Sequence, residues 1–317
     1  MQPLHSPRQR SLPGFLKPPA LRHGDTVAVV APASPFDRES LEAGVAVIAD
    51  RYRVRYDEGL YSRHRYLAGD DARRLVELTT ALADPEVRAV FCARGGYGTM
   101  RLLQQLATWS SSGGARVALK PLIGFSDITA LHGWLQSNGI ASVHGPVLTQ
   151  LGRLAPEGPR RLVSLLESTT SPAEALVGTD TYVGGTVEGP LLGGNLAMFT
   201  QLLGTAFMPA LDGAILMFED QGEQPYRLDR MWTHLALAGV FHKVRGIVLG
   251  EFLHCEPRDG GYTAAAVLRE LAAQTGLPCA AGFPIGHGDV NEPVPLGVRV
   301  RLDADDRRLT FLETFAT

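Results

Sequence analysis

The stretch Leu122-Ile123-Gly124-Phe125-Ser126-Asp127-Ile128-Thr129 joins a short apolar run to a segment with helical character. This order is typical of a buried strand that ends in a tight turn and continues into a helix. A serine in such a turn projects from the sheet edge, and the first backbone N–H groups of the helix point toward its hydroxyl. Ser126 is therefore a candidate nucleophile, although a turn serine without catalytic function is the commoner case.

Strand-like and helical segments alternate on both sides of this stretch. The alternation predicts an α/β fold with a mostly parallel, Rossmann-like or flavodoxin-like sheet that is covered by helices on both faces. The predicted strands are 26–31, 52–56, 87–91 and 121–124, and the predicted helices between and after them are 38–50, 70–83, 100–106 and 129–135.

The chain divides into two halves at a segment without strong periodicity. We predict an N-terminal α/β domain over residues 15–151, a linker rich in Gly, Pro, Ser and Thr over 152–184, and a smaller C-terminal domain of strands and helices over 185–317. Residues 1–14 lack an apolar core region, so we expect a flexible tail rather than a secretory signal.

Composition excludes several classes of function. The chain has 317 residues, 45% of them hydrophobic, and a net charge of −3, without a basic run interleaved with aromatic residues. Nucleic acid is therefore not an expected partner. The sequence lacks an apolar run of roughly 20 residues, the length needed to span a bilayer, so we expect no membrane association. The 3 cysteines form no CxxC or zinc-ligand spacing, which favours a reducing compartment and hence the cytoplasm.

A glycine-rich segment, Arg94-Gly95-Gly96-Tyr97-Gly98, follows the strand at 87–91. Ligands of open α/β sheets bind at this carboxyl edge. The segment matches neither the dinucleotide fingerprint GxGxxG nor the phosphate-binding GxxxxGK[ST] motif, so no nucleotide cofactor is expected. From the residues alone, a loop that faces an anion and a plain strand-to-helix turn are about equally favoured.

Glu219 and His287 lie in the second half at positions like that of Ser126, where an apolar, strand-like run ends and a loop begins. Together with Ser126 they provide the three residue types of a hydrolytic triad, in which histidine takes the serine proton and a carboxylate orients the imidazole. His287 and Asp289 with Glu219 and Asp220 could instead bind a divalent metal. The HExxH motif is absent, however, and we expect no metal.

The motifs taken together resemble the LD-carboxypeptidase family of serine peptidases, which includes murein tetrapeptide carboxypeptidases and microcin C immunity peptidases. They occur in the order of the family from about residue 20 onward. The matching motifs are Arg94-Gly-Gly-Tyr-Gly98, Gly124-Phe-Ser-Asp-Ile-Thr129, His144-Gly-Pro146, Gly193-Gly-Asn195, Phe218-Glu-Asp220 with Pro225-Tyr-Arg-Leu-Asp-Arg230, and Gly286-His287 followed by Pro295-Leu-Gly297.

The resemblance implies a role for each matching position. Ser126 would be the nucleophile, His287 the general base and Glu219 its orienting carboxylate, with the backbone N–H groups of Gly96 and Asp127 as the oxyanion hole. The nucleophile and the base would then lie on different domains. Members of the family often form homodimers, so the resemblance also implies a homodimer.

Other residues are weaker candidates for the site. Glu223 is a second glutamate in the same acidic loop and an alternative to Glu219. Arg94 and Arg230 could bind the terminal carboxylate of a peptide. Tyr97 could contact substrate and, with Tyr226 and Trp232, is available to stack on a base.

The expected activity is cytoplasmic hydrolysis of the L,D bond that releases the terminal D-alanine from a murein tetrapeptide, as in peptidoglycan recycling, without metal or cofactor. One alternative is the same chemistry on an aminoacyl-nucleotide conjugate of the microcin C type, which aromatic residues placed to stack on a base would favour. A second alternative is a non-catalytic α/β protein that binds a ligand through its glycine loops.

Overall fold

Two β-sheets form the frame of the molecule. The computed structural model describes residues 14–111, 119–171, 174–257 and 260–317, so that only Gly14 of the predicted tail falls within it. The strands, in chain order, are β1 (Thr26–Val30), β2 (Arg53–Arg55), β3 (Val87–Cys92), β4 (Leu122–Gly124), β5 (Ser142–His144), β6 (Leu176–Val177), β7 (Asp180–Val183), β8 (Thr186–Asn195), β9 (Ile215–Gln221), β10 (Gly246–Leu253), β11 (Cys279–Ala281), β12 (Val294–Leu296), β13 (Arg299–Asp303) and β14 (Arg308–Phe311).

Helices follow the strands, and side-chain caps define several of their ends. Asp37 and Asp70 each accept a hydrogen bond from a backbone N–H in the first turn of the helix that they precede. The α-helices are α1 (Arg38–Ala49), α2 (Asp71–Ala83), α3 (Leu103–Ser111), α4 (Thr129–Ser137), α5 (Leu148–Leu151), α6 (Glu157–Glu167), α7 (Leu196–Gln201), α8 (Pro225–Leu237) and α9 (Ala264–Thr275).

The first sheet has the strand order β12-β5-β4-β3-β1-β2. Its strands pair in parallel, except that β12 is antiparallel to β5. The order 2-1-3-4-5 is that of flavodoxin-like folds, in which chain connections leave β1 and β3 in opposite directions and open a crevice at their carboxyl ends. The predicted α/β fold is therefore confirmed.

Alternate residues of β1 show that helices cover both faces of this sheet. Val27 and Val29 belong to a core that also includes residues of α1 and α6, whereas Ala28 and Val30 belong to a core with residues of α2, α3 and α4. Because successive side chains of a strand point to opposite faces, the two cores lie on the two sides of the sheet.

The second sheet has the order β6-β14-β13-β8-β9-β10-β11-β7. Its centre, β8 to β11, is parallel, and antiparallel strands complete both edges. The strands β6 and β7 lie within the segment 152–184 that was predicted as a linker, and β12 from the second half pairs with the first sheet. The exact domain boundaries stay a prediction.

The sheets share apolar packing. Met217 of β9 and Val248 of β10 belong to the same buried core as Val27 of β1. Ile123 of β4 belongs to this core as well, so the strands that lead to Ser126 and to Glu219 are packed into one core. Within the described residues, no helix is long and apolar enough to cross a membrane.

Candidate active site

Ser126 lies two residues beyond the end of β4, in a turn of 3₁₀ helix that leads into α4. Its φ angle is +64°, in the left-handed region that non-glycine residues rarely adopt. Such a conformation costs on the order of 1–3 kcal/mol and is enriched at active sites. The side chain is partly exposed, so its hydroxyl is accessible at the carboxyl edge of the sheet.

The glycine loop packs directly against this serine. A Cβ added to Gly95 would lie 2.9 Å from the Ser126 Cβ and 3.2 Å from its Oγ. Gly96 has φ +104°, which a residue with a side chain would adopt only under strain. The approach of the loop therefore leaves no room for a side chain at Gly95 beside the candidate nucleophile.

Ser34, at the carboxyl edge of β1, holds the glycine loop. Its backbone N–H donates to the Gly95 carbonyl at 3.2 Å, and its hydroxyl accepts from the Tyr97 N–H at 3.0 Å. No sequence motif identified Ser34. Its position between two prolines after β1, at the same sheet edge as Gly95, is the signal that could have found it.

Asp127 fixes the turn from the inside. Its buried carboxylate accepts hydrogen bonds from the backbone N–H of Thr99, at 2.8 Å, and from the Thr99 hydroxyl. Burial raises the pKa of this carboxyl, against the effect of the Thr99 donors. Among the described residues, neither the Gly96 N–H nor the Asp127 N–H donates a hydrogen bond outside the regular helices and strands, which keeps both as candidate oxyanion donors.

Glu219 and His287 are hydrogen-bonded. Glu219 lies in β9, is fully buried, and places its Oε2 2.7 Å from Nδ1 of His287. Gly286 has φ +137°, and a Cβ there would come within 3.1 Å of the same Oε2. When Nδ1–H donates to the carboxylate, Nε2 of His287 is free to accept a proton.

Burial and charge act in opposite directions on the pKa of His287. Burial lowers it, but the hydrogen bond to Glu219 and the charges of Glu219, Asp220 and Glu251 outweigh burial, so that the pKa is raised above 6.5. Glu219 Oε1 has no hydrogen-bond partner among the described residues.

Phe125 brings the two halves of the site together. Its ring centroid lies 4.6 Å from that of His287, and it directly precedes Ser126. Within the described residues, no direct hydrogen bond joins the Ser126 hydroxyl to His287. Hydrogen bonds between catalytic groups often tighten only when substrate binds.

A second polar connection joins the halves beside Glu219. The backbone N–H of Asn195 donates to Thr129 Oγ1 at 3.0 Å, and its amide donates to Asp220 Oδ1 at 3.0 Å. Burial and the charge of Glu219 raise the pKa of Asp220 to about 7. The first turn of α4 is thereby tied to the strand that carries Glu219.

Two of the weaker candidates contact other parts of the first half. Arg94 is exposed and donates to the Pro35 carbonyl at 2.6 Å. Tyr97 is exposed and meets the ring of Tyr66 edge-on at 5.6 Å.

Of the other two weaker candidates, Glu223 lies just before α8 and Arg230 lies within it. Glu223 pairs with Arg227 at 3.5 Å, whereas Glu219 is the glutamate that contacts His287. Arg230 is exposed on α8 and forms no ion pair with any described residue.

Glu251 is a further residue that the sequence analysis did not assign. Its Oε2 accepts the Gly288 N–H at 2.7 Å, directly after His287 in the chain. Burial raises the pKa of this carboxyl. Across the described ranges, no group of three or more His, Cys, Asp or Glu side chains is arranged to hold a metal ion.

Comparisons with known proteins agree with the motifs. The model of the LD-carboxypeptidase N-terminal domain matches residues 27–145, and that of the C-terminal domain matches residues 188–302. The murein tetrapeptide carboxypeptidase of Pseudomonas aeruginosa is 36% identical, over 89% of this chain and 94% of its own. The solved muramoyltetrapeptide carboxypeptidase from Oxalobacter formigenes is 31% identical, with a TM-score of 0.77 over 90% of this chain and 97% of its own.

The chain is also similar to a microcin immunity protein. The microcin C7 self-immunity protein MccF of Escherichia coli is 25% identical, over 79% of this chain and 81% of its own. The structure of MccF in complex with glutamyl sulfamoyl guanosine has a TM-score of 0.82 at 22% identity, covering 95% of this chain and 100% of its own, which shows a shared fold.

Proposed function

This chain belongs to the LD-carboxypeptidase family and is a carboxypeptidase, and from that premise we propose that it is a serine peptidase acting on murein tetrapeptides. It hydrolyses the bond between an L-configured centre and the terminal D-alanine. The observation that carries this proposal is the 2.7 Å hydrogen bond between Glu219 and His287, beside the strained turn of Ser126.

The reaction proceeds in two displacements. Ser126 Oγ attacks the scissile carbonyl carbon while His287 Nε2 takes the hydroxyl proton. The C–N bond then breaks, and His287 returns that proton to the departing amine of D-alanine. A water molecule then attacks the acyl carbon while His287 takes one of its protons. The bond from this carbon to Ser126 Oγ breaks, His287 returns the proton to Oγ, and the shortened peptide leaves.

Glu219 orients the imidazole and stabilises its charged form in this scheme. A fully buried carboxylate interacts strongly with a neighbouring imidazolium, because little water screens the pair. The backbone N–H groups of Gly96 and Asp127 serve as the oxyanion hole. They are fixed before reaction by Ser34 and Thr99, so that little reorganisation is needed as negative charge develops.

Arg94 and Arg230 are the candidates for binding the substrate carboxylate, because both are exposed cations. Tyr97 and Glu223 complete the proposed contacts with the peptide. We further propose a cytoplasmic homodimer that acts in peptidoglycan recycling.

The murein substrate is favoured over an aminoacyl-nucleotide conjugate by similarity. The murein tetrapeptide carboxypeptidase of P. aeruginosa is 36% identical to this chain, whereas MccF is 25% identical.

Release of D-alanine from a murein tetrapeptide tests the proposal. Ser126→Ala should abolish release while circular dichroism and thermal stability stay close to those of the unchanged enzyme. Ser137→Ala, at the end of α4, is the matched control, and its activity should be retained. An aminoacyl-sulfamoyl adenosine is the competing substrate. Turnover of that compound alone would show that the substrate is of the microcin C type. Full activity of Ser126→Ala would refute the assignment of Ser126 as the nucleophile.

A further inference from the structure

The loop that carries His287 is held by a buried residue of the opposite half of the chain. Gln150, in α5, is 1% exposed, and its Nε2 donates to the Gly286 carbonyl at 3.3 Å and to the Gly288 carbonyl at 3.5 Å. These are the two carbonyls that flank His287 in sequence.

Asn291 closes the same network. It is 1% exposed, its Nδ2 donates to Gln150 Oε1 at 2.8 Å, and its Oδ1 accepts the Gly286 N–H at 3.0 Å. The amide of Gln150 thus uses both its donor and its acceptor side on one loop. A buried amide with both sides satisfied is geometrically restrictive, because any shift of the loop leaves a polar group without a partner.

The helix of Gln150 is also tied to the glycine loop. The Thr149 N–H donates to the Ala93 carbonyl at 3.1 Å, directly before Arg94. The short helix α5 therefore has two contacts. The backbone of Thr149 contacts the residue before the glycine loop, and the side chain of Gln150 contacts the loop that carries His287. The two parts of the site come from distant sequence, and α5 connects them.

We propose that Gln150, with Asn291, is a positioning residue that sets the orientation of His287 relative to Glu219 and Ser126. The inference rests on the proposed function, because the catalytic role of His287 is assigned there. Gln150 does not touch the reacting atoms. It acts on His287 through the backbone on either side of it, while Glu251 holds the Gly288 N–H from the other direction.

The pH dependence of kcat/KM separates positioning from general structural support. Loss of the Gln150 contacts loosens the loop and weakens the hydrogen bond from His287 to Glu219, which is a cause of the raised pKa of His287. The acid limb should therefore move to lower pH. The charged or titratable groups that act on His287 or stand near it are Glu219 and Asp220 of β9, Glu251 of β10, His144 of β5 and Asp289 of the same loop.

Gln150→Met is the principal variant, and Gln136→Met is its control. Gln136 is also a buried glutamine, but neither atom of its amide has a hydrogen-bond partner among the described residues. For Gln150→Met we expect kcat to fall roughly 10- to 100-fold, as for small misplacements of catalytic groups. KM should be nearly unchanged, and the acid limb should shift downward. Gln136→Met should keep the kcat and pH profile of the unchanged enzyme.

Asn291→Ala removes the hydrogen bonds of Asn291 to Gln150 and to Gly286. This variant tests the proposal if Gln150→Met does not fold. His287→Ala, measured in parallel, distinguishes a failure of the proposed function from a failure of the positioning role of Gln150. Turnover by His287→Ala would refute the proposed function itself. An inactive His287→Ala, together with folded Gln150→Met and Asn291→Ala enzymes whose kcat and pH profile are unchanged, would overturn the positioning role alone.

Discussion

Glu219 Oε2 lies 2.7 Å from His287 Nδ1, although 68 positions separate the two residues in the chain. The carboxylate is fully buried in β9, and the imidazole stands on the loop between β11 and β12. Glu219, rather than Glu223, is therefore the glutamate that hydrogen-bonds His287, and this bond helps to raise the pKa of His287.

Glu219→Gln should lower kcat by about 10²- to 10⁴-fold, because an amide neither stabilises the imidazolium nor selects the required tautomer. Glu223→Gln, four residues on and paired with Arg227, is the comparison variant: as a proposed substrate contact it should raise KM, while kcat falls by less than about 3-fold. Steady-state release of D-alanine measures both variants. The opposite ranking would make Glu223 the orienting residue.

The kcat/KM of the unchanged enzyme should fall on the acid side with a midpoint above pH 6.5, because the pKa of His287 is raised above that value. Only neutral imidazole can take the serine proton, so activity is lost as pH falls through this pKa. Glu219→Gln removes the main raising causes, and the residual activity should show its midpoint at lower pH. A midpoint that moves upward in this variant would contradict the assigned cause.

Ser126→Gly should be more thermally stable than Ser126→Ala, although both are inactive. Glycine adopts the φ of +64° without strain, whereas alanine retains a cost of about 1–2 kcal/mol. Calorimetry of the two variants measures the difference. The same pair at Ser164, an exposed position in α6, should show the reverse order, because glycine is less favourable in a helix. Equal stability of the two Ser126 variants would remove the argument for a strained turn.

Gly95→Ala should reduce kcat by roughly 10- to 100-fold with little loss of secondary structure, because the added methyl group displaces the catalytic serine. Its Cβ would stand 2.9 Å from the Ser126 Cβ and 3.2 Å from the Phe125 carbonyl oxygen. Gly158→Ala in α6 is the control, since its nearest neighbour is a Leu154 side-chain atom at 3.3 Å. Full activity of Gly95→Ala would show that the loop and the serine can separate without consequence.

Thr99→Val should destabilise the fold by about 1–3 kcal/mol, because the buried Asp127 carboxylate loses a hydroxyl donor. The turn that carries Ser126 should loosen with it, so a fall in kcat should accompany the fall in thermal stability. Thr108→Val removes an exposed hydroxyl that bonds only within α3, to the Gln104 carbonyl. This control should lose far less stability, and equal losses in the two variants would argue against a special role of the Thr99–Asp127 pair.

Local sequence patterns were enough to predict the α/β class, the strands β1 to β4 and the helices α1 to α4, because hydrophobic periodicity and turn residues act over a few neighbouring positions. The short elements β5 and α5 were not predicted. The sequence also located Ser126, Glu219 and His287 near strand ends, where side chains can reach a sheet edge. Their catalytic roles stay predictions. The three-dimensional packing was needed to show that Glu219 rather than Glu223 contacts His287, that Gln150 holds the loop of His287, and that β12 joins the first sheet. These contacts depend on strand order and on packing between distant segments, and local pattern carries no information about which distant segment becomes the neighbour.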